Sequence, residues 1–306
     1  MTTLVFGHKS PDTDATGSAI IWAWFLAHHA PGAAEARVLG TPNTEAQFVL
    51  QRWGFDVPPL LTDVEPGQKV VIVDTNNPAE LPASINQADI QAIIDHHKLV
   101  GGLETAGPIE ITIRPLASTA TLIYQLMGGH AGHAPEAIKG LILSCILSDT
   151  LEFRSPTTTP VDRQIAERLA VELKLAIPEY AAQMFAAKSD VSRFSDAELL
   201  RMDSKEYTVA GKALRVSVLE TTSPAVVLDR KASLMASMQA VATEDGADQV
   251  LLFVIDILRE EATMLIPNAL SKQLAEKSFG VTVTGDTVVL PGVMSRKKQI
   301  IPMLKL

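Results

Sequence analysis

Apolar positions along this chain follow two rhythms. Short runs at 4–7 (LVFG), 36–40 (ARVLG), 69–74 (KVVIVD) and 90–95 (IQAIID) are largely apolar and bounded by turn residues. Their apolar residues are continuous rather than alternating, the pattern of strands buried on both faces. Between them lie ATGSAIIWAWFLAHH and TEAQFVLQRWG, which read as helices. Strands alternating with crossover helices predict a doubly wound, mainly parallel α/β sheet. Further helices are expected over 118–128, 135–148 and 160–174.

After about residue 187 the pattern changes. AAKSDVSRFSDAE is polar and carries no sustained apolar period, so residues 188–194 read as a linker between a domain at 1–187 and one at 195–306. The second is a smaller mixed α/β domain. LRVSVLET, QVLLFVIDIL, EATMLIP, VTVTG and DTVVLP are its expected strands, the last two joined as a hairpin at Gly285–Asp286, with helices near 223–243 and 268–277. No internal repeat or low-complexity segment interrupts either domain.

Length agrees with this division, because 306 residues exceed the ~100–200 usual for one domain. A net charge of −9 argues against nucleic acid or a membrane as partner. An anionic substrate would then need bound cations or a local basic cluster. The single cysteine, Cys145, lies in LILSCILSD, which excludes an internal disulfide and a thiolate zinc site. Any metal must be held by histidine and carboxylate. No signal peptide or membrane-length apolar run is visible, so a cytoplasmic location is expected.

In open α/β sheets ligands bind beyond the carboxyl ends of the strands. There LVF is followed by His8, Asp12 and Asp14, KVVIV by Asp74, and IQAII by Asp95, His96 and His97. The helical run LILSCILS ends in Asp149. Each has an ordinary explanation when taken singly. SPDTDA is a helix-start sequence, VDTNNP an Asx turn, and either histidine a buried ring with its hydrogen bonds satisfied. An acid at a helix C-terminus opposes the helix dipole and calls for compensating charge. Four segments delivering such groups to one sheet edge favour a divalent-metal site instead.

Imidazole and carboxylate without sulfur suit Mn²⁺, Co²⁺, Fe²⁺ or Mg²⁺. Four aspartates and two histidines exceed what one ion takes, and two ions sharing carboxylates would use them all. His28 and His29 end an apolar helix, and His130 and His133 lie in a glycine-containing connection, so these four are set aside. Near the C-terminus SRKKQ (295–299) places three cations together. Such a run is either a solvated face or a phosphate grip of planar arginine and compact lysine charge.

GHKSPDTDA, VDTNN, DHHK and SDT, in this order, resemble the DHH phosphoesterase superfamily, most closely its manganese-dependent family II inorganic pyrophosphatases. SRKKQ resembles that family's substrate-binding signature. No insertion separates DHHK from SDT, as in the compact form without nucleotide-sensing domains. The resemblance implies hydrolysis of pyrophosphate to two phosphates by a metal-bridged hydroxide. Mn²⁺ or Co²⁺ would fill two protein sites, with additional Mg²⁺ arriving on the substrate. His8 and Asp12 would hold one ion, Asp14 and His96 the other, with Asp74 and Asp149 bridging both. Asp95 would orient a ligand, and His97 would protonate or hydrogen-bond the leaving phosphate. Lys205 in SKEY, Arg296 and Lys297 would grip the phosphates, brought to the metals by domain closure about 188–194. A homodimer through the N-terminal domain is also implied, with ITIRPL (111–116) a candidate edge strand.

Two rival functions can be weighed from the sequence. A DHH-type phosphodiesterase on short oligonucleotides or cyclic dinucleotides needs aromatic platforms for bases. The C-terminal domain has only Tyr207, Phe253 and Phe279, none beside SRKKQ. A regulatory module without catalysis would be expected to have lost a ligand, and all six are present.

Overall fold

A computed structural model describes residues 2–30 and 33–306. The chain separates into two compact units, one ending at Lys188 and the other spanning Ser189–Leu306. The first contains β1 (Thr3–Phe6), α1 (Thr13–His29), β2 (Ala34–Ala36), α2 (Thr44–Trp53), β3 (Lys69–Val73), β4 (Asp89–Asp95) and β5 (Glu110–Ile113). Four helices follow: α3 (Thr119–Met127), α4 (Glu136–Asp149), α5 (Pro160–Leu173) and α6 (Ile177–Lys188).

The five strands run in the order β2-β1-β3-β4-β5 and every neighbouring pair is parallel. All carboxyl ends therefore lie on one edge. In this 2-1-3-4-5 order the topological switch falls between β1 and β3, where a crevice opens for ligands. Continuous burial of Val70–Val73 bears out the unbroken apolar reading of β3. Phe6, Val70, Ile72, Ile90 and Ile93 form a core with Val64, Leu81 and Ile85 from the connecting segments. Alternation of side chains along the strands turns Val5, Val71 and Val73 to the opposite face.

Helix α1 is buried over nearly all of Thr13–Ala23, so its sequence shows little amphipathic period. It packs against α4 so closely that a Cβ on Gly17 would overlap the Cys145 sulfur. Cys145 is fully buried, as an apolar cysteine should be, and its thiol donates weakly to the Thr13 carbonyl at 3.3 Å. Strand β2 stops earlier than ARVLG suggests. The Val38 amide turns from β1 to the Pro59 carbonyl, and Val38 makes an isolated bridge with Leu60 instead.

The second unit contains α7 (Asp196–Met202), β6 (Ser204–Val209), β7 (Lys212–Thr221), α8 (Pro224–Leu228), α9 (Lys231–Glu244), β8 (Gln249–Asp256), β9 (Glu261–Leu265), α10 (Ala269–Phe279) and β10 (Thr287–Pro291). Its sheet runs β10-β9-β8-β7-β6, with β7 and β8 parallel and the other pairs antiparallel. Central β8 is buried throughout. Leu251, Phe253 and Ile255 face one core, while Val250, Leu252 and Val254 face another with Leu234, Met238 and Val241 of α9.

The hairpin expected at Gly285–Asp286 does not form. The Val283 amide donates to Glu276 of α10, Val283 is buried, and β10 pairs with β9 instead. The helix expected over 223–243 is broken at Asp229–Arg230, where Arg230 turns to pair with Asp196 at 2.5 Å. Val191 and Phe194 pack against the second unit's core. Among the described residues no helix is long and apolar enough to cross a membrane.

Candidate metal centre and phosphate-binding loop

Gly7 follows β1 in a loop so close to α1 that a Cβ there would lie 2.7 Å from the Ala15 Cβ. His8 comes next. Asp12 has two functions: it caps α1 by accepting from the Ala15 amide at 2.9 Å, and its other oxygen lies 3.7 Å from His8 Nε2. The helix-start explanation of SPDTDA and the cluster explanation therefore both hold. Asp74, just beyond β3, adopts a left-handed backbone at φ 59. A non-glycine residue there stores strain, of the order of 1–3 kcal/mol, that its surroundings must impose. Its amide donates to Ile94 at 2.9 Å. The carboxylate spans two histidines, with Oδ2 3.5 Å from His8 Nε2 and Oδ1 3.3 Å from His96 Nε2.

Asp14 is buried in the first turn of α1 and surrounded by donors. Its Oδ1 accepts from the Ser18 hydroxyl at 3.1 Å, the Ser118 hydroxyl at 2.9 Å and the Ala120 amide at 3.1 Å. Its Oδ2 accepts from the Thr119 amide at 2.6 Å. Half-buried Asp149, the last residue of α4, hydrogen-bonds Asp14. Three groups have ligand atoms within 4.8 Å of one another: His8 with Asp12 and Asp74, Asp14 with His96 and Asp149, and Asp74 with His96 and His97. All six residues read as ligands from the sequence are thus drawn together.

In the DHH segment, fully buried Asp95 accepts from the His96 amide at 2.7 Å, the His97 amide at 3.0 Å and His97 Nδ1 at 2.9 Å. Its second oxygen accepts from Asn76 at 2.6 Å. The Leu116 carbonyl takes the His96 Nδ1 proton at 3.0 Å, which leaves Nε2 as the free ligand atom. His97 is half-exposed and lines a cavity of about 550 Å³ with His8, Lys9, Asn77, Glu80 and Lys98.

Burial opposes charge on His8, yet bonds to Asp12 and Asp74 more than offset it and push its pKa up to about 10. His96 rises to about 9, again against burial, chiefly through Asp74 and Asp14. Burial and the Asp74 charge lift Asp14 to about 6. Burial, then Asp14 and Asp74, pushes Asp149 well above the ordinary carboxylate range. Asp74 alone of these acids is held low, its burial outweighed by the two histidines. Near neutral pH His8 and His96 therefore carry protons. Six nitrogen and oxygen donors with excess negative charge fit divalent metal ions.

SRKKQ is a constructed turn rather than a run of free lysines. Gln299 accepts from the Met294 and Ser295 amides at 2.8 and 2.9 Å and donates to the Gly292 carbonyl at 2.6 Å. The Ser295 hydroxyl accepts from the Lys298 amide. Arg296 and Lys297 line a cavity of about 450 Å³ with Lys205, Tyr207, Asp203 and Glu220. Arg296 donates to the Asp203 carboxylate and carbonyl, each at 2.7 Å. Sequence reasoning missed Asp203, which no local pattern distinguishes, and, although it expected the helix at 118–128, it missed that the start of α3 binds Asp14 through Ser118, Thr119 and Ala120. His29 and His130 meet edge to face at 4.8 Å between ring centroids, outside the three groups.

The strand order, the carboxyl-edge cluster and the mixed second unit define a DHH-type protein. Residues 2–149 match the DHH family, N-terminal domain, and residues 182–306 match the DHHA2 domain. The chain belongs to the manganese-dependent inorganic pyrophosphatase family. A Deinococcus radiodurans protein named "Probable manganese-dependent inorganic pyrophosphatase" is 40% identical, covering 98% of this chain and 97% of its own. Proteins of the same name from Lactobacillus helveticus and Staphylococcus aureus are 33% and 37% identical over 98% and 99% of this chain, and 96% and 97% of theirs. A solved Methanococcus jannaschii chain, named for the family II inorganic pyrophosphatases, is 34% identical with a TM-score of 0.61, covering 98% of this chain and 97% of that one. An exopolyphosphatase-related protein from Bacteroides fragilis shares the fold at 13% identity and a TM-score of 0.52, covering 98% of this chain and 89% of its own.

Proposed function

We propose that this chain hydrolyses inorganic pyrophosphate to two phosphates with Mn²⁺ or Co²⁺ as resident metal. The observation that carries the proposal is Asp74, whose two oxygens face His8 and His96 separately, as a carboxylate shared by two ions must. His8 and Asp12 would hold one ion and Asp14 and His96 the other, with Asp74 and Asp149 shared between them. Divalent ions bound there lower the pKa of water from 15.7 toward ~7 and offset charge on the phosphoryl oxygens. Additional Mg²⁺ enters with the substrate.

The chain's own groups do the rest. Asp95 fixes the His97 ring by its Nδ1 and raises its pKa. Nε2 is then the atom from which a proton reaches the leaving phosphate as water oxygen bonds to the other phosphorus and the P–O bond breaks. Arg296, Lys297 and Lys205 bind the phosphoryl oxygens. Asp203 engages only part of the five-donor guanidinium, and its remaining N–H groups serve the substrate. The metal ligands lie in 1–187 and these cations in 195–306, joined by 188–194. A homodimer through the first unit is also proposed, supported by edge strand β5 with exposed Ile111. The oligonucleotide or cyclic-dinucleotide phosphodiesterase is less well supported, since Tyr207 is the one aromatic residue lining the cationic cavity.

Phosphate release by chelator-stripped protein, with Mg²⁺ alone and after preincubation with Mn²⁺, tests this function. Rapid release that rises with Mn²⁺ is expected. No release by folded, metal-loaded protein would overturn it.

A further inference from the structure

We infer that Thr119, the first residue of α3, is a positioning residue that sets the spacing and orientation of two metal ligands, Asp14 and Asp74. Fully buried Thr119 reaches both carboxylates at once. Its amide donates to Asp14 Oδ2 at 2.6 Å and its hydroxyl to Asp74 Oδ1 at 3.0 Å. These acids arrive on different segments, one in α1 and one after β3. Apart from their histidine contacts, Thr119 is alone among the described residues in hydrogen-bonding both.

The start of α3 is itself fixed. Buried Asp162 of α5 accepts from the Ala117 amide at 3.1 Å and from the Thr121 hydroxyl at 2.6 Å, on either side of Thr119. The Ser118 hydroxyl caps the Ala120 amide at 3.1 Å. Thr119 is thus held by groups that are not ligands, and the carboxylates adjust to it. Asp14 Oδ1 already accepts three backbone or hydroxyl donors, whereas Oδ2 accepts one such donor, the Thr119 amide. A carboxylate oxygen has about two lone-pair sites, so Oδ2 is the atom of Asp14 left for a metal. The hydroxyl on Asp74 Oδ1 fixes the rotation about its Cβ–Cγ bond. One oxygen then stays toward His96 and the other toward His8. Without it the strained Asp74 keeps its backbone position but loses its preset carboxylate plane.

This inference rests on Asp14 and Asp74 being metal ligands. The experiment is Mn²⁺ titration calorimetry of chelator-stripped protein, with the metal-free melting temperature measured alongside. Thr119→Val keeps the shape and removes the donor, and should weaken Mn²⁺ about 10–100-fold, the usual effect of losing a hydrogen bond to a ligand. Thr119→Ser should bind close to the parent chain, and Thr119→Cys, a weak donor, should fall between. That order of affinities must not simply follow the order of metal-free melting temperatures. Equal Mn²⁺ affinity for Ser and Val overturns the inference, and if Val does not fold, equal affinity for Ser and Cys does so. Asp74→Asn serves as control. If it binds Mn²⁺ like the parent chain, the ligand assignment fails; if it loses Mn²⁺ while the Thr119 series is flat, only the positioning role fails.

Discussion

Asp149→Asn should make the metal-free protein more stable and diminish the stabilisation that Mn²⁺ gives. Burial and the Asp14 and Asp74 charges raise the Asp149 carboxyl well above its ordinary 3.8. At neutral pH the unfolded residue is ionised, so folding works against its charge. Each unit by which folding raises the pKa costs about 1.36 kcal/mol once the pH exceeds both values. Asparagine has no such cost and still offers N–H to Asp14. The sign follows from linkage: an acid raised by folding costs nothing below its unfolded pKa, and the cost grows as pH rises toward its folded value. The metal-free mutant should therefore match the parent chain near pH 4 and exceed it near pH 7. At ~2–4 °C per kcal/mol for a unit of this size, the melting temperature should rise by several degrees. With Mn²⁺ the mutant's advantage shrinks. At 100 times its Kd a ligand stabilises by ~2.7 kcal/mol, whereas a 100-fold loss of affinity leaves about 0.4 kcal/mol at the same concentration. Scanning calorimetry of stripped protein, with and without Mn²⁺ at several pH values, measures both effects. A metal-free mutant less stable than the parent near pH 7, or an undiminished Mn²⁺ response, would refute the reasoning.

Mn²⁺ binding should release protons near neutral pH, because His8, at about 10, and His96, at about 9, are protonated in the metal-free cluster. Titrations in buffers of different ionisation enthalpy report the number released, and zero would refute the assignment. The same raised values make the two histidines stabilise the metal-free fold below about pH 6.5, a contribution lost as pH rises through 9–10. Arg296→Ala should keep Mn²⁺ affinity and impair turnover, while Asp203→Ala should raise KM more than it lowers kcat, since Asp203 only aligns the guanidinium. Lost Mn²⁺ in either variant would contradict the division of roles. Gly17→Ala should cost roughly 1–3 kcal/mol by forcing a methyl onto Cys145. An unchanged urea midpoint would show that α1 and α4 separate freely.

The sheet edge was legible because parallel strands buried on both faces read as unbroken apolar runs, and the residue after each run must then lie at the ligand-binding edge. His8, Asp74, Asp95 and His96 were placed that way from position alone. Pairing was harder to read. VTVTG and DTVVLP have strand composition and a turn between them, yet Val283 serves the core and Glu276 takes its amide, a choice made by tertiary contacts. SKEYTV alternates poorly because β6 is an edge strand with much of its surface exposed. SRKKQ shows the opposite case. Its cations left a solvated face and a phosphate grip as alternatives, while its serine and glutamine, silent in the sequence, hold the turn that presents them.

What the sequence left as separate oddities the fold gathers in one place. A helix ending in an acid, a non-glycine residue at positive φ and buried carboxylates with raised pKa each violate a local rule. Natural chains break such rules at functional sites. Here all three meet around Asp74, Asp14 and Asp149. A cation between them would answer each anomaly at once: it would compensate the helix end, hold the Asp74 carboxylate that the strained backbone presents, and displace protons from the histidines. No packing change does all three. The instability of the metal-free cluster is thus the energetic counterpart of its affinity for metal, which is why Asp149→Asn is expected to move the two in opposite directions.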